Sequence, residues 1–211
     1  PALAKAKAKA QGIMRMNNGK QMGLGWKLWA GDNNDFLPYA MASGATDQRP
    51  LWFPGVLNFS SDVRNWTTID LTNSALYTYV GGSKEVFKCP ADKAMVQTTE
   101  GRKPRIRSIS MSQVFGNGEW LDGSGSGSGQ RVWRTYEKDG QVSRPSQTFV
   151  FVDEHTDSIN DAAFANQATG ANNPAIARVI DFPANYHNGA CGFAFADGHS
   201  EIKKWVGNKI R

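Results

Sequence analysis

The sequence predicts an α+β fold, with one long N-terminal helix packed on an antiparallel β-sheet and long irregular insertions. Three observations predict it. Residues 2–31 are dominated by Ala, Lys, Gln, Leu and Met, all good helix formers. Short segments in the second half alternate, or run apolar, over strand-like lengths. The stretches between them are dense in Gly, Asn, Asp and Pro, which punctuate turns. At 211 residues the chain has room for one sizeable core. We divide it into an N-terminal helix over 1–32 and a globular sheet domain over 33–211.

In the helix, Ile13, Met16 and Lys20 lead at spacings of three and four to Leu24 and Leu28. That spacing sketches one apolar stripe, so Leu24 and Leu28 are expected to face the sheet. "NNG" at Asn17 to Gly19 is a weak point, because Asn and Gly are poor in helix interiors. "GDNND" at Gly31 to Asp35 supplies the stop. Beyond it, "NSALYTYVGG" reads as a short helix ending at Gly81, and "EVFKCPAD" as a short extended segment running into a proline turn. "RIRSISMS", Arg105 to Ser112, alternates as a half-buried strand would. "DGSGSGSGQ" over 122–130 is a flexible low-complexity loop. In "QTFVFVDEH" the run Phe149 to Val152 is apolar on both faces, which places it centrally in the sheet. "IARVIDF" is a further strand candidate.

The C-terminal stretch "YHNGACGFAFADGHSEIKKW" carries two tight-turn signals, Asn188-Gly189 and Asp197-Gly198. Between them Cys191, Phe193 and Phe195 share one face, while Ala190, Gly192, Ala194 and Ala196 share the other. The expected result is a three-strand meander in which Ala196 pairs with His199 and Phe193 with Ile202. Its bare Ala/Gly face invites close approach of the N-terminal helix. The same stretch also suggests a metal or catalytic site through His187, Asp197 and His199. Seven extended residues, however, span roughly 23 Å at about 3.3 Å each. His187 and Asp197 are therefore expected at opposite ends of one strand, each serving a turn.

The charge balance, 24 Lys+Arg against 19 Asp+Glu, gives a net +5, too weak to argue for nucleic acid. In "KAKAKA", Lys side chains two apart do not form one stripe, so they make no focused basic patch. No apolar run is long enough to span a bilayer. The opening "PALAKAKAKAQ" starts partway through a helical pattern, and a segment upstream is expected. Cys89 and Cys191 stand in no CxxC pairing, which argues against a thiolate zinc site. A disulfide and two free buried thiols both remain open. There is no "GxSxG" and no phosphate-cradling glycine loop followed by Lys, so no catalytic residue is assigned. The seven tryptophans either line a glycan- or protein-binding surface or fill a loop-rich core.

The phrases "MNNGKQMGLGWKLWAGDNND", "FKCPAD", "SISMS", "PSQTFVFVDEH" and "DSIND", with His187, nine residues, then Asp197-Gly198, occur in this order. Together they resemble the pilin-like proteins of type II secretion and type IV pilus systems, in the prepilin-type processing-associated branch. The resemblance implies a helix whose first half spans the membrane and forms polymers, with a globular sheet on its second half. It also implies a structural role as a subunit of a pseudopilus or pilus-like fibre in the cell envelope. The implied partners are other pseudopilin or pilin subunits and the secretion assembly platform, with the membrane contacted through an upstream segment and no nucleic acid. Arg15 stands where the family often has a Cys, so a disulfide from the first helix to Cys89 is not implied.

"DEHTDSIND" gathers carboxylates and an Asn in a loop, as hard cations require. Asp153, Asp157, Asn160 and Asp161 are the calcium candidates, against a solvated acidic loop with Asx-turns. Some major pseudopilins hold calcium in a loop of their C-terminal half, and the resemblance favours this cofactor accordingly. The rival from another class is a metal-dependent envelope enzyme centred on Asp153, His155 and the Asp197/His199 turn. A DNA- or glycan-binding envelope module using Trp and Lys is a further alternative.

Overall fold

The computed structural model describes residues 2–41, 49–122, 133–169, 172–173 and 175–206. Helix α1, Ala2–Asp32, is its longest element at 31 residues. It runs unbroken through Asn17 to Gly19. It stops where Asn34 and Asp35 adopt left-handed φ of 55° and 62°. The strands are β1 (Met95–Thr98), β2 (Gly101–Pro104), β3 (Ile109–Ser112), β4 (Phe149–Asp153), β5 (Ala163–Phe164), β6 (Ala190–Phe195) and β7 (Ser200–Lys204). β1 and β2 form a separate hairpin, and the other five form one sheet in the order β5-β3-β4-β6-β7. The fold is therefore α+β, with β4 at the sheet centre as its apolar run predicted. The sheet is mixed rather than wholly antiparallel, because β5 runs parallel to β3.

The helix packs on the bare face of β6, as expected, but through a different stripe. Leu24 and Leu28 are 59% and 50% exposed. The buried face is Gly12, Arg15, Gly19, Met22, Gly23, Trp26, Trp29 and Ala30, also at spacings of three and four. Its glycines explain why it wins. A Cβ on Gly19 would lie 2.5 Å from Ser200 Oγ, and one on Gly23 would lie 3.5 Å from Gly198 Cα. Close backbone approach outweighs side-chain hydrophobicity at this contact. Met22 and Trp26 then enter the main core with Ala194, Ala196, Trp52 and Phe151. Trp26, Trp29 and Trp52 are all buried, so core filling accounts for them.

Other segments depart from expectation. β6 lies between β4 and β7, and the described residues 175–187 that lead into the Asn188-Gly189 turn form no strand. "IARVIDF" makes only the isolated bridge from Val179 to Asn166. The β6–β7 register pairs Ala194 with Ser200 and Gly192 with Ile202, one residue off the expected pairing. The loop is one residue longer, because Phe195 N–H donates to His199 O while Gly198 N–H donates to Phe195 O. Gly189 and Gly198 have φ of 77° and 90°, as turn glycines must. "RIRSISMS" yields a strand only from Ile109, and that strand is buried on both faces. Lys84–Phe87 is a 3-10 turn rather than an extended segment, and Thr78–Val80 is a 3-10 turn closed by left-handed Gly81. The low-complexity loop lies, apart from Asp122, outside the described residues.

Candidate functional site

Three segments converge beneath α1. The first is the turn after the 3-10 helix Lys84–Phe87, where the Cys89 amide donates to Ser108 Oγ at 2.8 Å. α1 fastens this turn, with Gln11 donating to Pro90 O at 2.8 Å and Asn18 to Glu85 O at 2.9 Å. The second is the end of β4, where alternation sends Val152 to the cluster on the far face of the sheet and Asp153 toward α1. The third is the turn ahead of β6. Asn188 and Gly189, both at positive φ, reverse the chain, and His187 N–H donates to Ala190 O at 3.3 Å.

Arg15 closes the site from above. Its Nε donates to Asp153 Oδ1, and both side chains are fully buried. Asp153 Oδ2 accepts from the Gly192 amide at 3.1 Å. Gly192 has to be glycine here, because a Cβ would lie 2.6 Å from Asp153 Oδ2 and 2.9 Å from Arg15 Nε. Burial works against the Arg15 charge, but Asp153, together with Cys89 and Cys191, holds Arg15 above its ordinary value. Cys89 Sγ lies 3.3 Å from His187 Nε2, and Asp153 Oδ2 lies 3.9 Å from the same nitrogen. Burial first, and Asp153 second, push the Cys89 thiol well up. Burial lowers His187, which favours its neutral imidazole.

This arrangement is not a nucleophilic relay. In such a relay the histidine uses opposite ring nitrogens for nucleophile and carboxylate. Here Cys89 and Asp153 both approach Nε2, and Nδ1 has no hydrogen-bond partner among the described residues. Cys89 and Asp153 are fully buried, and His187 is 9% exposed.

The sequence-based candidates are dispersed. Asp153 is engaged by Arg15, while Asp157 is 79% exposed beyond the sheet end. Asp161 accepts from the Ala163 amide at 2.8 Å, and the Asn160 carbonyl accepts from Leu57 N–H at 2.8 Å. Asn160 and Asp161 line a cleft with Asp181, Gln113 and Glu119. Burial, reinforced by Asp161, pushes the Asp181 carboxyl up to about 6. The rival enzyme centre is not assembled. His155 Nδ1 accepts from the Asp157 amide at 3.3 Å, while Asp197 and His199 pair with each other at 2.6 Å at the other end of β6. The Asp197 carboxylate also accepts from the His199 amide at 3.1 Å, the Asx-turn expected of it. Cys191 packs with Val152 and Phe164 on the face away from α1, so the two cysteines are separate free thiols.

Sequence reading placed Asp153 and His187 in motifs but missed Cys89 and Arg15 as their neighbours. The one available signal was Arg15, which falls in register with Gly12 and Gly19 on the glycine-bearing stripe. Among the described residues no helix is long and apolar enough to cross a membrane. Compared with known proteins, the chain matches no family model, no curated protein and no solved structure.

Proposed function

We propose that the chain is a structural subunit of a pilin-like fibre, a type II secretion pseudopilus or a type IV pilus-like assembly of the cell envelope. The observation that carries this reading is the outer face of α1. One side of the helix is used up on the sheet, and the opposite side presents Ile13, Met14, Leu24 and Leu28, each at least half exposed. A helix bearing apolar residues on two opposite faces has a second surface to bury. Lys5 to Lys7, Lys9 and Ala10 are exposed as well, so the start of the helix stands clear of the globular part. In a fibre the outer face packs against helices of neighbouring copies, and the sheet domain lies on the outside. The reading requires an apolar stretch of about 20 residues upstream in the gene to hold the subunit in the membrane before assembly. An envelope module that binds DNA or glycan through Trp has less support, because Trp26, Trp29 and Trp52 are buried and Trp120 and Trp133 are each only 37% exposed.

The test uses the product of the complete gene in the envelope of its host. Leu24→Cys places an accessible thiol on the outer face, while both native cysteines are buried. A bifunctional thiol crosslinker should give a covalent dimer, the largest product that one accessible thiol per subunit allows. Adding Leu28→Asp should abolish the dimer without changing the melt of the globular part. A monomer band alone from Leu24→Cys overturns the reading.

A further inference from the structure

We propose that Cys89, Asp153 and His187 form a binding site for one soft divalent cation, with zinc as the fitting occupant. The ion would tie together the turn after Lys84–Phe87, the central strand β4 and the turn that opens β6. The inference is independent of whether the chain polymerises.

The convergence of ligand atoms carries it. Cys89, Asp153 and His187 each offer one ligand atom, and the three lie within 4.8 Å of one another. Two of the separations are 3.3 and 3.9 Å. Tetrahedral zinc, with bonds of about 2.3 Å to sulfur and about 2.0–2.2 Å to nitrogen and oxygen, sets its ligand atoms about 3.3–3.6 Å apart. Closing the carboxylate onto the ion therefore takes a swing of roughly 1 Å. One thiolate, one imidazole and one carboxylate make a donor set that suits zinc. Calcium, which takes six to eight oxygens, does not fit it. Water completes the fourth vertex.

The surroundings fit the same reading. Arg15 Nε occupies Asp153 Oδ1 and the Gly192 amide reaches Oδ2, so the ligating carboxylate is oriented from behind. Groups that orient a metal's ligands in this way are part of how such sites hold their ion. The Arg15 charge limits the negative charge that thiolate and carboxylate bring together. The only ligand that reaches the surface is His187, so the ion would enter at the turn that carries it. No paired cysteine or histidine spacing announces the site, because its ligands come from three distant segments and meet only on folding. Binding is therefore linked to folding.

Cobalt(II) is the probe. Titrated into the purified protein, it should give tetrahedral visible bands and a sulfur-to-cobalt charge-transfer band in the near ultraviolet, saturating at one equivalent. Zinc should raise Tm, and a chelator should reverse the rise. Cys89→Ser should remove the charge-transfer band, and His187→Gln should weaken binding at least tenfold. If those variants fail to fold, zinc-edge X-ray absorption on the unmutated protein decides the question, with one sulfur at about 2.3 Å expected. Absence of cobalt bands, a band that survives Cys89→Ser, or a zinc shell without sulfur overturns the site.

Discussion

Arg15 on α1 and Asp153 at the end of β4 form an ion pair from which solvent is fully excluded. Breaking such a pair on one side strands a buried charge, at a cost of about 3–5 kcal/mol. Arg15→Met should therefore lower the unfolding free energy by that amount in urea melts. The double variant Arg15→Met/Asp153→Leu should recover most of the loss, since neither charge is left behind. A single variant within 1 kcal/mol of the parent, on the order of a surface substitution, would show that the pair is not what holds the helix down.

Two glycines on the helix–sheet contact should respond in opposite directions. Gly192→Ala drives a methyl into Asp153 and Arg15, at 2.6 and 2.9 Å, and should destabilise strongly. Gly23→Ala meets the Gly198 backbone no closer than an ordinary 3.5 Å. Helix propensity then dominates, and the variant should gain up to about 1 kcal/mol. Parallel thermal melts read both, and equal losses would refute the packing described for this face.

Leu28→Asp tests which stripe of α1 is inward. Leu28 is 50% exposed, so the melt of the globular part should move by no more than about 0.5 kcal/mol. Met22→Asp, one of the residues buried against the sheet, should cost several kcal/mol through an unpaired buried charge. A reversed order would return the helix to the orientation its leucines suggest.

Asp181 makes stability depend on pH. Its folded value is raised, from 3.8 to about 6, chiefly by burial. The folded state therefore holds the proton more tightly than the unfolded chain does. The cost of ionising Asp181 is absent below its ordinary value and complete above about pH 6, so stability falls as pH rises through that window. Asp181→Asn keeps an acceptor for the Ala165 amide and removes the cost. At pH 8 it should gain about 1–2 kcal/mol, allowing for solvent screening, and its stability should be flatter between pH 4 and 7. Unchanged pH dependence in this variant would place the effect elsewhere.

What could be read from sequence was what local signals encode. α1 follows from its helix formers, β4 from an apolar run, and the turns at Gly189 and Gly198 from Asn-Gly and Asp-Gly. The bare face of β6 correctly called for the helix. The inward stripe escapes a hydrophobic pattern because Gly12, Arg15, Gly19 and Gly23 carry almost no hydrophobic signal, and their value lies in how close they let the sheet come. The alternation suggests a longer strand than the one at Ile109 because Arg105 and Arg107 look like solvent-facing residues. Both are buried, over Phe59 at 4.4 Å and over Phe53 at 4.7 Å, with Thr156 and Asp161 carbonyls as acceptors. The meeting of Cys89, Asp153 and His187 depends on tertiary geometry alone, and no short window of sequence contains it.

The glycine-lined seam between α1 and β6 has a mechanical consequence. Where two surfaces meet through Gly and Ala, few side chains interlock, and little opposes sliding of one along the other. Traction applied along the helix axis would thus bypass most of the contact and concentrate at the features that protrude. Trp26, set edge-on against Phe115 at 5.3 Å, is one such stop, and the Arg15 tether to the central strand is another. Force reaching the sheet by that route is delivered to β4, the central strand, which has hydrogen-bonded neighbours on both sides. The load would be shared by two ladders rather than peeled from an edge.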